Sequence, residues 1–216
     1  MTATGARPAA RPTLNVSRVM GYDEQTECFV NVSGDYEYMG VGYYASELFE
    51  TDGKLVHPTT RESIDAYVVP VCLEKAKFAG VPVPEFHLTN GYFEPPVIVD
   101  TVNPFMQRSS IVRSTSAQPR VAASLTRNST YAVCCQVLPD GARVATFRAV
   151  MGSTPSPRYR DLAVAVWEVF RIPLATVRTI VPKDGDPVLS AIGPLPYKQL
   201  TQLERRRLDG RLTWHE

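Results

Sequence analysis

Ser33-Gly34-Asp35-Tyr36-Glu37-Tyr38-Met39-Gly40-Val41-Gly42-Tyr43-Tyr44-Ala45-Ser46 packs four tyrosines and three glycines into fourteen residues. Upstream, residues 27–33 alternate, with Cys28, Val30 and Val32 on one face of an expected strand. Downstream, residues 43–51 read as a short helix, ended at Asp52-Gly53, where glycine suits a left-handed position. Strand, turn and helix in that order are the opening of an α/β unit. Such turns gather backbone N–H groups and loop side chains, and α/β proteins bind ligands there. The same letters also suit a glycine-permitted turn with half-buried tyrosines packed on it. Both readings stay open at this point.

The elements that follow extend the pattern. Residues 54–57 form a short strand candidate. Thr59-Thr60 or Ser63 can cap a helix running to about residue 79, with Gly80 after it. Pro70 should kink or split that helix. Residues 83–88 and 97–102 are further strands around turns at Asn90-Gly91 and Pro95-Pro96. Residues 103–120 read as a Ser/Arg-rich loop, and residues 121–126 as a helical turn. Residues 130–138 and 143–151 are apolar strand-length runs joined by Pro139-Asp140-Gly141-Ala142, a hairpin signal. A helix over 158–170, started by Pro157 and stopped by Pro173, precedes a second hairpin of residues 175–181 and 188–192. A basic helix over 196–208 closes the order. Together these predict an α+β fold: a mixed sheet with parallel βαβ units in front, antiparallel hairpins behind, and helices packed on the sheet. Residues 1–26 read as a flexible tail and residues 27–216 as a single domain.

Composition narrows the function. The net charge is +1, with 44% hydrophobic and 21% charged residues. That balance is ordinary for a globular chain and argues against nucleic acid as a partner. No apolar run reaches membrane-spanning length, and the first thirteen residues lack a signal-peptide core, so a cytoplasmic location is expected. The four cysteines, Cys28, Cys72, Cys134 and Cys135, form no CxxC pair and no zinc spacing. Cys134 and Cys135 should point to opposite faces of a strand, and reduced thiols are the default. Phosphate-loop, dinucleotide, zinc-protease and serine-hydrolase motifs are missing; Gly40-Val41-Gly42 is only a fragment of one. His57 and His87 near strand ends read as hydrogen-bonded structural residues rather than bases. No cofactor or metal site is expected. Between Asp100 and Asp140 there is no acidic residue, yet Arg108, Arg113, Arg120 and Arg127 lie there. Arginine forks bind carboxylate and phosphate, so this stretch is either an anion-binding loop or a solvated one.

Two blocks of sequence resemble the domain at the N-terminus of certain RimK-like ATP-grasp ligases. One is Asp35-Tyr36-x-Tyr38 with Gly42-Tyr43-Tyr44-Ala45-Ser46-x-Leu48, then His57-Pro58 and Ile64-Asp65. The other is Ser156-Pro157-Arg158-Tyr159-x-x-Leu162-Ala163, then Trp167-x-Val169-Phe170-x-x-Pro173-Leu174 and Ile192-x-Pro194-Leu195. The resemblance spans roughly residues 27–208. It implies an accessory module in an amide-ligase pathway, with ATP and magnesium on a partner ligase and none held by this chain. It further implies an ATP-grasp ligase and an amino-acid or peptide substrate as partners, with the chain a stand-alone version or a piece of a longer protein. No catalytic residue carries over. The candidate substrate-binding residues are Asp35, Tyr36, Tyr38, Tyr43, Tyr44, Arg108, Arg113, Arg127 and Arg158. Alternatives are a small amidase or transferase acting on a ligase product, drawing on Tyr36, Tyr43, Asp35, Cys134 and His57, and a phosphate- or RNA-binding module using the arginines.

Overall fold

Asn31 ends the strand that precedes the tyrosine turn, and its side chain ties strand to helix. Its amide donates to Gly42 O (2.7 Å) and Ser46 Oγ (3.0 Å), while its oxygen accepts from Ser33 N (3.1 Å). The expected strand–turn–helix is therefore present as β2 (Cys28–Asn31) and α1 (Val41–Thr51). The computed structural model describes residues 19–105 and 107–214. Residues 1–18 of the expected tail, and His215, lie outside the described residues. Residues 20–23 of the same segment form a strand, β1 (Met20–Asp23), antiparallel to β2. After α1 the chain returns as β3 (Val56–His57), parallel to β2. This is the one parallel pair among the described residues; the strands at 86–89 and 97–101 join an antiparallel sheet instead. The C-terminal strand β11 (Leu212–Trp214) completes the order β11-β1-β2-β3.

Thr59 caps α2 (Thr60–Tyr67) in a reciprocal box with Glu62, which satisfies the helix's first N–H groups. Val68 then leaves the helical region and α3 (Val69–Phe78) restarts with Pro70 in its first turn. Proline lacks the N–H that a continuous helix would need, so the expected split falls there.

The middle of the chain builds an antiparallel sheet, β4-β7-β5-β6, from β4 (Phe86–Thr89), β5 (Val97–Thr101), β6 (Ser109–Val112) and β7 (Val133–Val137). The helix α4 (Gln118–Leu125) packs Ala122 on one face, against Val97, Val99, Val112 and Cys135. Cys134 points the other way, towards Leu73 of α3. Both cysteines behave as the strand period requires, and all four thiols are free and buried. Two expectations fail here. The stretch 103–120 is not all loop, because residues 109–112 add an edge strand. The run at 130–138 does not form a hairpin with β8 (Arg143–Val150). Its neighbours are β4 and β5 on either side, while β8 pairs antiparallel with the strand at residues 174–181 in a separate three-stranded sheet.

That last sheet holds the second expected hairpin, β9 (Leu174–Val181) with β10 (Val188–Pro194). The helix α5 (Arg160–Phe170) lies on it, packing Leu162, Ala163, Val166 and Phe170 with Val177, Leu189 and Ile192. Arg171 takes the left-handed conformation (φ 53°) and Pro173 prevents continuation. The basic helix is α6 (Gln202–Asp209), preceded by a short turn of 3-10 helix at Tyr197–Gln199. Helices and mixed and antiparallel sheets thus make an α+β fold. No helix among the described residues is long and apolar enough to cross a membrane.

Candidate functional site

The tyrosine turn divides into a buried anchor and a partly exposed aromatic row. Tyr36 has 0% exposure, and its hydroxyl donates to Asn31 O at 2.6 Å. Burial pushes that hydroxyl far above the ordinary tyrosine range, so it stays protonated. Glycine is required twice. Gly34 sits at φ +74° with Leu195 O 1.9 Å from where a Cβ would lie, and Gly42 would place a Cβ 1.9 Å from Asp35 O. The first approach clips the turn onto the chain after β10, where Leu195 N donates to Gly34 O (2.8 Å), and the second closes the turn against the start of α1. Tyr44, Tyr43, Tyr38 and Phe105 then meet edge to face in sequence, with centroids 6.1, 5.2 and 5.1 Å apart. Phe105 belongs to the β5–β6 connection, so the turn and the former "loop" touch. Asp35 is exposed, and its carboxylate accepts from Glu37 N at 3.2 Å, a local turn bond. Beside it, burial first and Asp35 second push the Glu37 carboxyl up.

The arginines do not share one site. Arg113 follows β6, exposed. Arg127 follows α4 in the left-handed region and lies 5.7 Å from the Tyr131 ring. Arg158 lines a cleft at the end of α3, and Arg108 a different cavity between β5–β6 and β9–β10.

That second cavity, about 210 Å³, contains the most developed polar network among the described residues. Arg178 on β9 forks onto Asp100 of β5, with contacts of 2.9 Å and 2.7 Å. Its remaining donors reach Ser190 Oγ (2.9 Å) and Ser109 Oγ (2.7 Å). Gln136 of β7 donates to Asp100 (2.8 Å) and to Ser190 O (3.0 Å). The Asp100 side chain is 5% exposed and that of Arg178 17%. In this largely buried setting a charge-assisted fork is strong, and either partner alone would be costly. The fork leaves Asp100 and Arg178 neutralising each other. Arg108 lines the same cavity, is exposed, and has no ion pair among the described residues.

Asp100, Gln136, Arg178 and Ser190 were not among the expected site residues. A signal for them exists: Asp100 and Arg178 interrupt the apolar runs of β5 and β9, and a charge on a buried face requires a partner. His57 pairs with Glu62 at 2.9 Å as part of the α2 cap, the structural role expected of it, and His87 is exposed on β4. Burial first, then Asp100, pushes the Cys134 thiol up to about 12, and likewise Cys135. Such thiols hold almost no thiolate at neutral pH. Among the described residues no group of three or more His, Cys, Asp or Glu is placed to hold a metal ion.

No family model and no curated protein matches the sequence. Solved structures do match the fold. A RimK-domain ATP-grasp protein from Sphaerobacter thermophilus superposes with a TM-score of 0.57 at 17% identity, over 76% of this chain and 72% of that one. The D-alanine–D-alanine ligase of Helicobacter pylori gives 0.57 at 12% identity, over 83% and 68%. The corresponding ligase of Bacillus anthracis gives 0.54 at 13%, over 81% and 73%. Over most of its length, the chain is similar in fold to ATP-grasp ligases.

Proposed function

We propose that this chain is a non-catalytic partner of an ATP-grasp ligase, which it assists by binding the ligase and holding an amino-acid or peptide substrate. The ligase-like fold supports the kind of process. The observation that carries the accessory role is the Asp100–Arg178 fork. Phosphoryl transfer uses carboxylates to hold magnesium against the phosphates. Here the cavity's carboxylate is consumed by the chain's own guanidinium and by Gln136. We assign ATP and magnesium to the partner, as the resemblance to RimK-like ligases implies, and the paired Asp100 is in keeping with that. Four buried free thiols fit a reducing compartment, which favours the cytoplasm. The aromatic row Tyr38, Tyr43 and Tyr44, half-buried except at Tyr44, with Asp35 beside it, is the candidate docking face; Arg108, Arg113 and Arg127, at three separate places, are each a candidate contact to a substrate carboxylate.

Co-purification from the native organism, with bound proteins identified by mass spectrometry, tests the reading. It expects an ATP-grasp ligase to be retained, and to be lost with Tyr38→Ala and Tyr44→Ala. Recovery of the chain with no ligase at any salt concentration refutes it.

A further inference from the structure

The cleft beside Arg158 has a composition unlike the cavity at Asp100. It measures about 410 Å³, within the ~300–1,000 Å³ of small-molecule sites. It opens between the C-terminal end of α3 and the start of α5. Arg158 and Asp161 come from the α5 side, and Asp186 from the β9–β10 turn. All three are exposed, and none forms an ion pair within 4.0 Å among the described residues, although seven such pairs exist elsewhere. The walls are apolar: Val81, Leu162 and Ala165. They are also fixed. Val81 N donates to Ala76 O (2.9 Å), and Leu189 N of β10 donates to Pro82 O (2.8 Å).

We propose that this cleft binds a free α-amino acid with an apolar side chain. A guanidinium forks onto a carboxylate. Two carboxylates accept from the three N–H groups of an ammonium. Both signs, unpaired with each other in one cleft, match a ligand that carries both signs. A simple anion would leave Asp161 and Asp186 facing it, and a simple cation would face Arg158. The apolar walls then select the side chain. This inference rests on the substrate-holding half of the accessory reading.

Isothermal titration of the full chain, with no ligase present, tests it with four probes: leucine, glycine, N-acetyl-leucine and leucinamide. Leucine should saturate, and each of the other three should bind at least tenfold more weakly. Arg158→Ala should weaken leucine at least tenfold and leave leucinamide unchanged. Asp161→Asn with Asp186→Asn should weaken leucine and leucinamide and leave N-acetyl-leucine unchanged. The sites are exposed, so far-ultraviolet circular dichroism should show all variants folded. Equal binding of leucine and its capped forms overturns the proposal, as does no saturable heat up to ~10 mM. If leucine fails to bind a chain that still retains a ligase, only this inference falls. If leucine binds and no ligase is ever retained, only the ligase partnership falls.

Discussion

Replacing Arg178 by alanine removes four donor contacts at once: two to Asp100 and one each to Ser109 and Ser190. Asp100 keeps only the Gln136 amide, in a position where its side chain is 5% exposed. Stranding one partner of a buried pair costs about 3–5 kcal/mol. Arg178 is itself 17% exposed, so water can reach the vacated side, and the lower end, about 3 kcal/mol, applies. For a chain of this size that lowers the melting temperature by roughly 6–12 °C. Urea unfolding followed by circular dichroism measures the loss directly. The double variant Arg178→Met with Asp100→Asn leaves no stranded charge and keeps an oxygen for Gln136. It should regain about half of the loss or more, because the two sites share one network. A loss below about 1 kcal/mol in Arg178→Ala refutes the buried fork. So does a double variant whose loss equals the sum of those of Arg178→Met and Asp100→Asn taken singly.

Further expectations concern the turn, the cap and the thiols. Gly34→Ala should destabilise far more than Gly53→Ala: both sit at positive φ, but only Gly34 has a backbone oxygen 1.9 Å from the added Cβ. The left-handed cost alone, about 1–2 kcal/mol, sets the Gly53 value in denaturant unfolding. Thr59→Ala should cost about 1 kcal/mol in the same assay, by opening the box that caps α2. Native Cys134 and Cys135 should resist a thiol reagent at pH 8 and react on unfolding. Their folded values lie near 12, above the ordinary 9.0, so their contribution to stability is full below pH 9 and is lost as pH rises from there towards 12. Alkaline unfolding in that window, advanced relative to a Cys134→Ala variant of equal neutral-pH stability, checks the sign.

How far the fold can be read depends on whether local chemistry or tertiary pairing decides each element. The α1 start, the Pro70 split and the β9–β10 hairpin follow from residues within a few positions, and the structure contains them. The edge strand β6 is hidden because Ser109 and Ser110 give no apolar alternation; of its four residues only Val112 is buried. The Asp140-Gly141 turn does form, with Ala142 N bonded to Pro139 O at 3.0 Å and Gly141 at positive φ. The strands it joins nevertheless part, because β7 is already paired on both sides. A turn signal reports the turn, not the partner. The polar network is harder still: Asp100 and Arg178 lie 78 positions apart, and only the sheet-to-sheet packing unites them. Arg158 was a legible candidate, but its cleft partner Asp186 comes from another turn.

Release of ADP by the purified chain, alone and with its co-purified ligase, bears most directly on the accessory role. The assay supplies magnesium, ATP and a mixture of free amino acids. The account predicts no release above the protein-free rate for the chain alone, and a ligase rate that changes when the chain is added. Sustained ADP release by the chain alone, with an amide product, would contradict it.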